Sequence, residues 1–140
     1  MSGEAAIRPA RRDELDAVLA LWREAEATPT RTDDLAGLET LLAHDPGALL
    51  VADDGGLLVG TVIAGWDGWR GTLHRLAVLP AARRRGIGRA LVAAGEERLR
   101  TLGARRVNAL VNVAREPAVA LWETEGYELD GRIRRFVKSI

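Results

Sequence analysis

The sequence predicts an α/β protein built on a central mixed β-sheet with helices on both faces. Three observations predict it. Two amphipathic helical patterns come early, and after them the pattern becomes β-rich. Three strand-like runs then follow one another across short turns. A strand, a helix and a further strand come next, which calls for a crossover and so for strands of both directions in one sheet. The order along the chain reads β-α-α-β-β-β-α-β-α-β-β, expected as one domain over residues 1–140, a length that suits a single hydrophobic core.

The first strand candidate is "AAIRP", ended by Pro9. From Asp13, "DELDAVLALWREAEA" puts Leu15, Val18, Leu19, Trp22 and Ala25 on one helical face. "TPTRT" reads as a loop. "DDLAGLETLLAHD" repeats the helical signal through Leu35, Leu38, Leu41 and Leu42 until Pro46-Gly47 stops it. "ALLVAD" and "LLVGTVIAGW" are strands joined by the turn "DDGG". "DGWRG" turns the chain into "TLHRLAVL", which ends at Pro80. The next helix sets Ile87, Leu91, Ala94, Gly95, Leu99 and Leu102 to one side, pairs Glu96 with Arg100 at i,i+4 on the other, and ends at Gly103. "RRVNALVN" is a strand and "EPAVALWETEG" a short helix with Pro117 in its first turn and Gly126 as its C-terminal stop. "YELDGRIRRFVKSI" reads as two strands around Asp130-Gly131.

Composition narrows the function. Acidic and basic residues balance at 20 each, so no global field draws the chain to nucleic acid or anionic lipid. Four Trp, one Tyr and one Phe leave the core to Leu, Val, Ala and Ile. Lys138 is the one cation besides Arg, a bias that suits planar, forked recognition of phosphate or carboxylate. With no Cys, disulfides, thiolate metal sites and a cysteine nucleophile are excluded, which fits a cytoplasmic protein. No apolar core follows the charges of "MSGEAAIRPARRDE", so no signal peptide is expected, and no apolar run reaches the roughly 18 residues of a membrane span.

Against that neutral background stands "RRRGIGRA", residues 83–90, between a strand and a helix. The first N–H groups of a helix have no partners within it, and the helix dipole favours an anion there. Gly86 and Gly88 let the backbone approach a ligand, and Arg83, Arg84, Arg85 and Arg89 offer forked donors to phosphate oxygens. The stretch reads as a diphosphate cradle. It is neither the nucleotide P-loop, which needs a Gly-Lys-Ser/Thr end, nor the dinucleotide fingerprint, whose third glycine would fall on Leu91. Taken alone, arginines at a helix start also fit a merely solvated face.

The longer stretch "LAVLPAARRRGIGRALV" resembles the signature of the GNAT superfamily, the acyl-CoA-dependent N-acetyltransferases: V-x-P at Val78–Pro80, then Arg83, Gly86 and Gly88 in the spacing [RQ]-x-x-G-x-[GA], then an amphipathic helix. "IRPARRDELDAVLALW" and "AVALWETEGYE" resemble the family's first strand and helix and its late A-x-x-L-Y-x-x-x-G-[FY] segment. The resemblance implies acetyl-CoA as cosubstrate, with no metal. Arg83, Arg84, Arg85, Gly86, Ile87, Gly88 and Arg89 would hold its diphosphate. Leu76, Ala77 and Val78 would lie along its pantetheine arm on a strand splayed from its neighbour. The reaction implied is attack of a neutral primary amine on the thioester, and a backbone N–H near Val78 would meet the oxyanion.

Three family positions depart from the pattern. Trp122 stands where members often carry the Tyr that serves as acid, and an indole N–H cannot deliver a proton. Tyr127 matches a later aromatic that packs. Leu110 replaces a Glu sometimes used as base, and Arg115, followed by Glu116, replaces an Asn. His74 is the candidate base, on the expectation that side chains 72, 74, 76 and 78 share one face. Glu26, Asp33, Asp34 and Asp67 are candidates to attract an ammonium, with Trp66 and Trp69 as an apolar or cation–π wall; each also fits an ordinary surface or hairpin role. His44, at a helix end beside Asp45, reads as a partner of the helix dipole, and the two histidines lack metal-ligand spacing.

The expected function is transfer of an acetyl group from acetyl-CoA to a small-molecule amine or a peptide N-terminus. A non-catalytic acyl-CoA-binding or sensing module, favoured by Trp122, is the alternative. A nucleic-acid-binding domain using "RRRGIGR" and "RIRR" is disfavoured by zero net charge. The C-terminal strand would permit homodimer pairing, and its charges equally suit a protected edge.

Overall fold

The computed structural model describes residues 5–140 except 26, 28, 113 and 115, with Glu116 in its backbone alone. It divides into two compact units, residues 1–110 and 111–140.

The first unit holds a five-stranded sheet in the order β1-β2-β3-β4-β5: β1 Ala6–Pro9, β2 Leu49–Asp54, β3 Leu57–Trp66, β4 Gly71–Val78 and β5 Val107–Ala109. The first four pair antiparallel, and β5 joins β4 in parallel. The helices are α1 Leu15–Glu24, α2 Leu35–His44 and α3 Ile87–Leu102. The mixed sheet with helices on both faces is therefore the observed fold class.

One face carries α1 and α2. Leu15, Val18, Leu21 and Trp22 of α1 and Leu38 of α2 bury against Leu49, Val51, Ile63 and Ala77 of the sheet. Leu21, outside the expected stripe, is buried, while Leu19 is half-buried. A short 3-10 turn, Arg12–Glu14, precedes α1 and is clasped to the sheet by Arg8, which donates to Glu14 at 2.9 and 2.7 Å and to Asp53 at 3.0 Å.

The other face carries α3, pressed close because glycines of the sheet meet leucines of the helix and a glycine of the helix meets a leucine of the sheet. A Cβ on Gly60 would stand 2.9 Å from Leu91 Cδ1, one on Gly71 2.5 Å from Leu99 Cδ1, and one on Gly95 2.7 Å from Leu73 Cδ2. Arg100 of α3 pairs with Glu97 at 2.9 Å, three residues back.

The second unit contains α4, Glu116–Thr124, where Trp122 is buried. Two expectations fail in this part of the chain. The strand "RRVNALVN" shortens to Val107–Ala109. The two strands expected in residues 127–140 are absent: a turn at 131–132 is the only regular feature there among the described residues. A strand needs a ladder partner, and the described residues of the unit hold no strand to supply one. Arginines take up local acceptors instead, Arg132 donating to Asp130 and Arg134 to the carbonyls of Gly131 and Ile133. Among the described residues, no helix is long and apolar enough to cross a membrane.

Candidate active site

The site is best built from β4, the strand that leads into the arginine loop. It pairs with β5 only at Gly71, Thr72 and Leu73, and the last tie is the Leu110 N–H donated to the Leu73 carbonyl at 3.0 Å. From His74 to Val78, no strand among the described residues pairs with that edge. The backbone expected to receive an acyl arm, Leu76–Val78, lies in this stretch.

On its other edge β4 carries a bulge. Thr61 faces Ala77 and Ile63 faces His74, so Arg75 and Leu76 together oppose Val62. Arg75 takes a left-handed backbone, φ 54°, costly for any residue with a Cβ. Its carbonyl accepts from Thr61 Oγ1 at 2.9 Å, and the same hydroxyl accepts from Trp22 Nε1 at 2.8 Å. The bulge also changes the phase of the strand. His74 pairs with Ile63, on the α1–α2 face, whereas Val78 pairs with Gly60, which faces Leu91 and Ile87 of α3. The expectation that positions 74 and 78 share a face is thus corrected, and it was the ground for directing His74 toward the incoming amine.

After Val78 the chain makes a 3-10 turn, Pro80–Ala82, and then residues 83–86 form an exposed loop. Arg84 and Gly86 are left-handed, at φ 67° and 77°. Gly86 is the N-cap of α3 with no side chain capping it, and its carbonyl accepts the Ala90 N–H at 3.0 Å, the first bond of the helix. The N–H groups of Ile87 and Gly88, ahead of that bond, point out of the helix start, where no i−4 carbonyl of the helix can reach them. A Cβ on Gly86 would meet nothing within 4 Å, so that side is open, and α3 has no acidic residue in its first turn. These features fit an anion. The arginines are not equivalent: Arg83 Nε donates to the Val78 carbonyl at 3.2 Å, closing the loop on its strand, and Arg85 pairs with Asp54 at 3.0 Å.

The carboxylates expected to attract an ammonium have structural work. Asp33 binds the Arg75 guanidinium. Asp34 caps α2, accepting the Gly37 N–H at 2.8 Å. Asp67 accepts the N–H groups of Trp69 and Arg70 at 2.8 and 2.7 Å, which holds its carboxyl below the usual range. Trp66 ends β3, and Asp67 and Trp69 lie in the turn before β4, the length of an eight-residue strand and so roughly 25 Å from the loop at its far end. Trp69 stacks under Arg70 at 4.0 Å, and Trp66 lies toward Gly103 at the end of α3. That wall is not beside the cradle. His44 ends α2 as expected, and the Asp45 carboxylate turns to Arg98. Tyr127 packs edge-on to Trp122, ring centres 4.9 Å apart, in keeping with a packing position. Leu110 is partly exposed at the end of β5. Glu26, Arg115 and the Glu116 side chain lie outside the described residues. No group of three or more His, Cys, Asp or Glu able to hold a metal occurs among the described residues.

Sequence reasoning missed Thr61 and Arg75. Thr61 sits in an apolar strand run and signals nothing by itself, and an arginine gives no warning of a left-handed backbone.

The profile of the Acetyltransferase (GNAT) family matches residues 13–127. An acetyltransferase of Pectobacterium atrosepticum is 34% identical over 122 residues, covering 87% of this chain and 86% of the relative. Among solved structures, a ribosomal-protein-alanine N-acetyltransferase from Brucella melitensis superposes with TM-score 0.73 at 26% identity, over 90% of this chain and 86% of that one. An aminoglycoside N-acetyltransferase in complex with CoA superposes with TM-score 0.75 at 20% identity, over 100% of this chain and 97% of that one. The chain belongs to the Acetyltransferase (GNAT) family and is an acyltransferase.

Proposed function

We propose that the protein is an acetyl-CoA-dependent N-acetyltransferase that acetylates a primary amine, of a small molecule or a protein N-terminus, by direct attack, and that residues 1–140 form its one domain, working in the cytoplasm. The observation that carries this reading is the continuity of β4 with the loop: a strand edge unpaired by β5 beyond Leu73 runs straight into the start of α3, capped by the left-handed Gly86 with no side chain on it and open space beside it. Family membership supports it, as do an aminoglycoside N-acetyltransferase and a ribosomal-protein N-acetyltransferase among the matching folds.

In this reading acetyl-CoA supplies the activated acyl group as a thioester. The N–H groups of Ile87 and Gly88 and the guanidinium groups of Arg83, Arg84, Arg85 and Arg89 hold its diphosphate, with the forked geometry and permanent charge that phosphate oxygens favour. Leu76, Ala77 and Val78 present backbone to the pantetheine arm. His74 is the candidate base because it is the first residue of β4 past the pairing with β5. Trp122 can donate a hydrogen bond but not a proton, so departure of the thiolate relies on its own low basicity, near a thiol pKa of about 8.5.

Thermal unfolding with and without acetyl-CoA tests the proposal. At about a hundredfold over the dissociation constant the ligand adds ~2.7 kcal/mol, several degrees at this size. Gly86→Glu and Arg84→Glu, each melted first without ligand to establish folding, are expected to lose the shift. No shift in the wild-type protein at saturating acetyl-CoA would refute the reading. If binding holds, His74→Gln is expected to cut turnover of an accepted amine well over tenfold, and near-normal turnover would remove the base assignment.

A further inference from the structure

Asp33 lies just before α2 and Arg75 lies in the bulge of β4, 42 residues later. Their side chains are mostly buried, 15% and 19% exposed. The carboxylate of Asp33 is held by its own turn, accepting the Thr30 N–H at 2.7 Å while its N–H donates to the Thr30 carbonyl at 3.1 Å. The guanidinium of Arg75 also lies over the Trp22 ring, 5.3 Å from its centre, and Trp22 donates to the hydroxyl that holds the Arg75 carbonyl. Arg75, Thr61 and Trp22 thus form a closed circuit through β4, β3 and α1, and Asp33 ties the segment before α2 to it through the Arg75 guanidinium. Its one strained member is the left-handed Arg75.

We propose that Asp33 is a positioning residue: through Arg75 it fixes the bulge from which Leu76–Val78 take their alignment, and so sets how the pantetheine arm and thioester are received. This deepens the proposed function and rests on its assignment of the acyl arm to residues 76–78. Geometry favours it over attraction of a substrate ammonium, because the carboxylate is already paired with a guanidinium. Residues 76–78 have no support from β5 and are held on the β3 side alone, where the bulge sets their register. The diphosphate loop lies beyond the circuit, and its ligands do not depend on it.

The experiment uses the full chain with Asp33→Asn, Arg75→Lys and Arg75→Gly. Glycine accepts the left-handed backbone at no steric cost, so that variant removes the tie without adding strain. Amide hydrogen exchange is compared at residues 76–78 and, as a control, at 49–54. Affinities are measured for acetyl-CoA and for adenosine 3′-phosphate 5′-diphosphate, which carries the diphosphate without the arm. Asp33→Asn and Arg75→Gly are expected to speed exchange about tenfold at 76–78 alone and to weaken acetyl-CoA about tenfold relative to the adenosine diphosphate. Arg75→Lys, keeping charge but losing the planar fork, is expected to fall between. Unchanged exchange and an unchanged affinity ratio in either the asparagine or the glycine variant would overturn the proposal, as would equal acceleration at 49–54. Failure of the wild-type chain to bind acetyl-CoA would refute the function while exchange at 76–78 still decides whether Asp33 positions the strand.

Discussion

Replacing Thr61 by valine tests the core of the site with almost no change in volume. Thr61 is fully buried, and its hydroxyl accepts from Trp22 Nε1 at 2.8 Å and donates to the Arg75 carbonyl at 2.9 Å. Valine leaves no cavity and opens no space for water, so the buried indole N–H loses its partner outright, at about 1–3 kcal/mol, and the bond to Arg75 is worth about 1 kcal/mol more. The expected loss is about 2–4 kcal/mol. With an unfolding entropy near 2.1 cal/mol/K per residue, a chain of this length loses roughly 7–14 °C in Tm. Thr61→Ser keeps the hydroxyl and sheds one methyl, for about 1 kcal/mol. Urea unfolding of Thr61→Val, Trp22→Phe and the double variant should give a coupling energy of about 1–2 kcal/mol. A coupling near zero, or a valine variant more stable than the serine one, would refute the reasoning.

Glu14 gives a pH signature. The hydrogen bond from Arg8, with that from the Arg11 N–H behind it, lowers its carboxyl from 4.5 to about 2. A depressed carboxylate contributes stability that is fully present above pH 4.5 and is lost as pH falls toward 2; the loss should be ~1–3 kcal/mol, discounted for the partial exposure of Arg8, and Glu14→Gln should flatten that part of the stability curve measured by denaturant titration. Gly60→Ala should push the first turn of α3 outward, because its Cβ would stand 2.9 Å from Leu91 and 3.1 Å from Ile87; calorimetry should read about 1–3 kcal/mol of destabilisation together with weaker acetyl-CoA binding. Asp34→Ala removes the α2 cap and should cost about 1 kcal/mol in chemical denaturation. Trp122→Tyr restores a phenol where family members often carry one, and steady-state kinetics should show faster turnover with a new alkaline limb near the phenol pKa of about 10.

Sequence legibility divides by physical cause. The first five strands in chain order, α1–α3 and the arginine loop were readable because periodicity, Pro and Gly are local signals. The bulge was not, because its extra residue is an arginine held left-handed by a threonine 14 positions away in the chain. Alternation then carried His74 and Val78 onto one face when they lie on two. The carboxylates misled in a related way: acidity is visible in a sequence, but prior commitment to Arg75, to the α2 cap or to a turn is not. The last two strands rested on residue type alone, and strand formation depends on a partner that residue type does not supply.

The glycines at the seam between α3 and the sheet have a consequence beyond packing. Gly60, Gly71 and Gly95 each receive or flank a leucine with no slack, so the helix and the sheet are keyed together like a tongue in a slot. A keyed joint resists both sliding and rolling, and whatever is mounted at its end inherits that accuracy. The exposed loop at the head of α3 can therefore vary its arginines without losing its place, whereas a single added methyl at the seam would move the whole mount.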